Sequence, residues 1–211
     1  MNKDDLCYRS YAKQEFRADD NDGVKTITGH PAVFESPADI AGMFQETIER
    51  GAFDGCDMTD VLLFVNHDMN KIPLARSRRN NGNSTMTLSV DDTGLAMTAK
   101  LDTESNPEAR AVYGAIERGD MDGMSFCFKV ADDEWEDLDG NYPVRHIKKI
   151  AKVFEVSAVN MPAYPATDIS ARDAKNALDN ARKAVETARS QSVDTDTVEV
   201  MRLKTEILAK E

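Results

Sequence analysis

A histidine, a serine and a glutamate stand where strands would hold each of them rigidly. His67 comes just after the apolar run Val61-Leu62-Leu63-Phe64-Val65, in the polar exit Asn66-His67-Asp68. Ser125 follows the turn Gly119-Asp120-Met121-Asp122-Gly123. It heads an alternating segment in which Met124, Phe126, Phe128 and Val130 share one face and Ser125, Cys127 and Lys129 the other. Glu155 sits mid-strand, with Val153, Ser157 and Val159 on its face and Phe154, Val156 and Ala158 opposite. A serine hydroxyl is a weak nucleophile until a base takes its proton. A histidine does that near neutral pH, and a carboxylate fixes the imidazole tautomer and steadies its cation. The chemistry open to such a set is acyl transfer.

Each residue alone has a simpler explanation. A lone histidine at a strand exit is more often structural, and a serine beside a glycine turn usually bonds the local backbone. Glu155 is costly to bury unless paired, which makes a partner worth seeking, but an edge-strand glutamate facing water fits the pattern equally. Cys127 shares the Ser125 face and is the alternative nucleophile, although a cysteine between Phe126 and Phe128 is more often inert packing. The order His, Ser, acid differs from the chymotrypsin, subtilisin and α/β-hydrolase orders. The absence of a Gly-x-Ser-x-Gly elbow disfavours the last of these.

The elements that must position these residues follow from periodicity. Residues 1–23 are polar, end in the acidic turn Asp19 to Gly23, and read as a flexible lead-in. Val24 to Phe34 reads as a strand bent at Gly29-His30-Pro31, with His30 a turn histidine. Phe44 to Phe53 fits either a helix or short strands, and Ile72 to Arg76 an extended edge segment. Ser84 to Val90 and Gly94 to Leu101 pattern as a hairpin. The clearest helix starts at Asn106-Pro107, a favoured N-cap and first-turn pair, repeats Ala109, Val112, Tyr113 and Ile116 on one face, and stops at Gly119. Asp132 to Tyr142 reads as an acidic loop around Trp135, and Val144 to Val159 as β-prone. After Pro165 a thin alanine-rich stripe (Ala174, Ala177, Leu178, Ala181, Val185, Ala188) and a second helical piece from about Asp196 predict a helical tail.

Bulk properties narrow the function. The 211 residues suffice for one domain with an appendage. A net charge of -12 argues against sequence-independent nucleic-acid binding, which needs dense Lys and Arg. Cys7, Cys56 and Cys127 have neither metal-ligand nor disulfide-framework spacing, so neither metal nor cofactor is expected. No apolar run approaches the roughly 20 residues of a membrane span, and Met1 to Asp5 leads into no signal-peptide core. These features predict an intracellular, soluble protein.

Several ordered segments resemble the prohead maturation proteases of tailed bacteriophages, which are similar in fold to the herpesvirus assemblins. They are Gly29 to Phe34, Glu49 to Phe53, Val65-Asn66-His67-Asp68 with Pro73 to Arg76, Gly94-Leu95, Gly119 to Phe128, and Glu155 to Pro165. Ala75 stands where glycine is expected. The resemblance implies an α+β, mainly β fold: a compact assemblin-like β-barrel ringed by helices, with a helical C-terminal tail. It divides the chain into a lead-in (1–23), a protease domain (24–168) and a targeting or cleavable tail (169–211). It implies a serine endopeptidase with His67 as base, Ser125 as nucleophile and Glu155 as the orienting acid. His146 is the runner-up for that third role, since assemblins use a second histidine there, and Asp68 a poorer one. Arg76 is a candidate support for the oxyanion. The implied substrates are the scaffold segment of the major capsid protein and the protease itself. The setting is the assembling procapsid in the host cytoplasm, with the portal and a homodimer as further partners and neither membrane nor nucleic acid among them. A non-enzymatic capsid assembly protein of the same fold, and a small cytosolic esterase, are the competing readings.

Overall fold

Alternation of apolar and polar residues turns most of the chain into strands. The computed structural model describes residues 6–12, 16–160 and 174–187. Within them run β1 (Cys7–Ala12), β2 (Arg17–Asn21), β3 (Val24–Val33), β4 (Ala38–Ile40), β5 (Phe44–Ile48), β6 (Leu62–Val65) and β7 (Ala75–Arg76). After these come β8 (Met86–Val90), β9 (Gly94–Lys100), helix α1 (Pro107–Arg118), β10 (Gly123–Glu136) and β11 (Val144–Val159). A second helix, α2, covers residues 174–187.

The strands make two sheets. One has the order β1-β10-β11-β5-β4, with β6 pairing to β11 and β7 to β6, and the other the order β2-β3-β9-β8. The fold is mainly β with flanking helices, as expected. Among the described residues the expected barrel does not close: closure needs the last strand to pair with the first, whereas there β1 pairs only with β10 and β4 only with β5. Two helices, rather than a ring of them, flank the sheets among the described residues.

The main core lies between the sheets. Phe126 and Phe128 on β10 stack with ring centroids 4.2 Å apart, and Met124, Val153, Val156 and Ala158 share their face. Ile27, Leu95, Met97 and Met86 face them from the second sheet, all buried. Helix α1 begins as the sequence predicts. The Asn106 side chain accepts hydrogen bonds from the N–H groups of Glu108 and Ala109, Pro107 opens the first turn, and Gly119 ends it at φ 76°. Its buried stripe, Ala109, Val112, Tyr113 and Ile116, packs towards β2 and β3. The chain then turns into β10.

Three regions differ from the sequence reading. Residues read as a flexible lead-in contain β1 and β2, one in each sheet. The acidic loop is shorter than expected, because β10 continues through Asp132, Asp133 and Glu134 to Glu136. Acidic residues are poor strand formers, but here they face cations across the ladder: Asp132 opposes Lys149, and Lys148 Nζ lies 3.1 Å from Glu134. Helix α2 buries Ala174 and Leu178 against Ile40, Phe44 and Trp135, which forms a small second core. The rest of the predicted tail lies outside the described residues.

Candidate active site

Strands β6, β10 and β11 bring the three candidate residues to one sheet face. β10 and β11 are antiparallel, with Ser125 opposite Ser157 and Cys127 opposite Glu155. Directly opposed residues project to the same side, so Ser125, Ser157, Cys127 and Glu155 share the face turned away from the aromatic core. β6 runs parallel to β11 and pairs Val65 with Ala158. The chain leaves it through Asn66 and His67, both in the left-handed region at φ 48° and 60°. That conformation is uncommon for residues other than glycine and tends to persist where surrounding structure enforces it. Here Asn66 N–H donates to the Ala158 carbonyl and Asn66 Oδ1 accepts from Asn160 N–H, so the turn is tied to the end of β11.

The turn sets His67 over Glu155. Nδ1 of His67 lies 2.6 Å from Glu155 Oε1. Ser157 Oγ donates to Glu155 Oε2 at 2.6 Å and accepts from the His67 backbone N–H at 3.1 Å. Both oxygens of the buried glutamate therefore accept hydrogen bonds, and Glu155 is only 1% exposed. In the neutral imidazole, with the carboxylate as acceptor, Nδ1 carries the proton and Nε2 a lone pair. His67 remains partly accessible, its side chain 22% exposed.

Ser125 is fully buried. Its hydroxyl donates to the main-chain carbonyl of Arg9 in β1 at 2.8 Å. One residue earlier on that strand, the Tyr8 ring meets the His67 imidazole edge-on, with centroids 4.9 Å apart.

The other candidates fall elsewhere. Arg76 on β7 donates from Nε to Asp60 Oδ1 at 2.7 Å, and its Nη2 pairs with Oδ2 of the same carboxylate. His146 is nine residues before Glu155 on β11, roughly 30 Å of extended strand; it lies 3.5 Å from Glu49 and 3.6 Å from Glu136. Asp68 accepts from Asn70 N–H within its own turn. Cys127 is buried on the site face. No cluster suited to a metal ion occurs among the described residues, and no described helix is long and apolar enough to cross a membrane.

The sequence matches the family described as Caudovirus prohead serine protease over residues 12–182. The chain belongs to that family. Among solved structures it is similar to the bacteriophage T4 capsid assembly protease, gp21, at 13% identity, covering 73% of this chain and 96% of that one with a TM-score of 0.42. A comparison with curated proteins finds no match.

For a prohead serine protease, the His67–Glu155 pair has the form of a base held by an acid. Reading the sequence alone missed three contributors to this site. Ser157 was detectable, since it lies two residues from Glu155 on the same strand face. Tyr8 and Arg9 were not. Only pairing with β10 brings them near His67 and Ser125, and a polar lead-in gives no sign of where it docks.

Proposed function

We propose that this chain is the serine endopeptidase of a phage prohead, with Ser125 as nucleophile, His67 as general base and Glu155 as the acid that orients it. The observation that carries the reading is the 2.6 Å contact between His67 Nδ1 and Glu155 Oε1, on the sheet face that also bears Ser125, in a member of this family. Ser125 Oγ attacks a peptide carbonyl carbon as its proton passes to His67 Nε2. The tetrahedral intermediate collapses, the C–N bond breaks, and the same proton goes to the departing amine. Water then attacks the acyl-serine ester, gives a proton to Nε2, and the regenerated hydroxyl takes it back. Glu155 supports the transient imidazolium throughout.

Developing oxyanion charge requires preorganised donors. Backbone N–H groups near Ser125 are the first candidates. Arg76 enters that role only by releasing Asp60.

The substrates in this reading are the scaffold segment of the major capsid protein and the chain itself, inside the assembling procapsid in the host cytoplasm. Confinement in a shell raises the effective concentration of substrate, so a modest catalyst suffices. Residues beyond 168 serve to direct the enzyme into the shell and are trimmed afterwards. A chain lacking residues 188–211 that still packages normally would remove the targeting role from that part.

Co-expression with the major capsid protein tests the function. Intact mass should show capsid protein shortened by the wild type and full-length beside Ser125→Ala. One observation favours the non-enzymatic assembly protein instead: Ser125 is wholly buried, its hydroxyl bonded to β1. On that reading the capsid protein is the same length with both chains.

A further inference from the structure

The last register pair between β6 and β11 is Val65 with Ala158, yet the hydrogen bonding continues one residue further. In a parallel ladder a residue donates its N–H to the residue before its partner, and its carbonyl accepts from the residue after. Asn66 keeps that pattern around Val159. Its N–H donates to the Ala158 carbonyl at 2.9 Å, and an oxygen of Asn66 accepts from the Asn160 N–H at 3.2 Å. That oxygen is the side-chain Oδ1, standing in for the main-chain carbonyl.

With the side chain filling that place in the ladder, the backbone can leave the sheet at once. Asn66 and His67 turn through φ 48° and 60°, and the Asp68 N–H closes the turn on the Val65 carbonyl at 3.1 Å. A tight turn with two left-handed central residues favours Asn, Asp and Gly, and His67 holds the second place, where glycine is more usual. The histidine main chain is then fixed on both sides. Its N–H donates to Ser157 Oγ at 3.1 Å, and its carbonyl accepts from the Met69 N–H at 2.9 Å. Asn66 itself is exposed, so packing into the core does not account for it.

We propose that Asn66 is a positioning residue for the reaction: its side-chain carbonyl replaces a ladder carbonyl, and the left-handed turn this permits sets His67 over Glu155. The inference rests on the protease reading of His67 and Ser125. The role asks for two properties together. Glycine enters the left-handed region freely but brings no oxygen, and alanine lacks the oxygen and resists the conformation. Aspartate keeps both the oxygen and the tolerance.

Steady-state cleavage of the capsid protein and proton NMR, both on the full-length chain, test the role. Asn66→Ala should lower kcat about tenfold to a hundredfold, the scale of a reacting group misplaced by about an ångström, with KM little changed. Asn66→Asp should restore most of that loss. Asn66→Gly, which relieves the backbone without supplying the acceptor, should not restore it. Asn160→Pro removes the donor from the other side and should slow kcat in the same way. The double variant Asn66→Ala with Asn160→Pro should be no slower than the slower single one, because both break one bond. A His Nδ1 proton held by a carboxylate resonates far downfield, and absence from His67→Ala identifies the signal. It should broaden in Asn66→Ala and persist in Asn66→Asp. A folded Asn66→Ala chain with wild-type kcat and an unchanged resonance overturns the inference, as do additive losses in the double variant. Wild-type kcat in Asn66→Gly overturns it too, and stands as the test where Asn66→Ala does not fold. The protease reading fails differently: the resonance responds as stated, while capsid protein stays intact beside every chain, wild type included.

Discussion

His67 Nδ1 and Glu155 Oε1 lie 2.6 Å apart, although 88 residues separate them in the chain. The parallel pairing of β6 with β11 produces this contact, because it delivers the exit of one strand to the C-terminal end of the other. Glu155 is thereby a buried carboxylate with both oxygens satisfied, which is the condition under which burying it is tolerable.

Glu155→Gln tests what the charge does. The side chain keeps its shape, but the imidazolium loses its counter-charge and the amide can donate where only acceptance fits. Cleavage of the capsid protein should fall on the order of a thousandfold to ten-thousandfold, with the folded structure retained. Cleavage rate and melting temperature, measured on the same samples, separate the two effects.

Ser157→Ala should weaken both the fold and the site. The hydroxyl joins the His67 backbone to Glu155, so its loss leaves a part-buried donor and a buried acceptor unmatched, at about 1–3 kcal/mol. Because Ser157 acts through Glu155 and His67, kcat should drop while KM changes little. Denaturant unfolding and steady-state kinetics check the two parts.

Acid should loosen β1. Burial pushes the Glu46 carboxyl up, but Arg9 and Arg145 outweigh it and hold the group below its ordinary value of 4.5. A carboxylate lowered by folding contributes stability above its unfolded value, and that stability is lost as pH falls through the lower, folded value. Protection of the β1 amides, relative to their intrinsic exchange rate at each pH, should therefore be high at pH 6 and fall as the pH is taken below about 4.5. Glu46→Gln should remove most of that dependence.

Gly94→Ala should destabilise without touching the site. A Cβ at Gly94 would stand 2.1 Å from the Ala32 carbonyl oxygen and 2.9 Å from Val33 Cα, all backbone that cannot rotate away. The cost should reach at least the upper part of the roughly 1–3 kcal/mol seen for overpacking. A melting temperature that matches the wild type would be inconsistent with the β3–β9 contact.

The fold was legible where one local signal settles an element. Asn106-Pro107 and Gly119 fix both ends of α1, and β-branched residues recurring among polar ones mark β11 from Val144 to Val159. β10 was readable only to Val130, because its acidic continuation becomes a strand through cross-strand lysines that no local window contains. Of the candidate site, His67, Ser125 and Glu155 could be read as strand-end or mid-strand reactive residues. What joins His67 to Glu155 is sheet register, a property of long-range pairing. For the same reason β1 was invisible: Arg9 carries no signal in its neighbours, and its partner Glu46 is 37 residues away.

The most direct measurement is the site of covalent attachment. The enzyme is treated with a fluorophosphonate, digested, and the modified peptide sequenced by mass. A single adduct on Ser125 is expected, absent from Ser125→Ala and strongly reduced in His67→Ala. An adduct on Cys127, or capsid protein cleaved by a chain whose Ser125 is never modified, would contradict it.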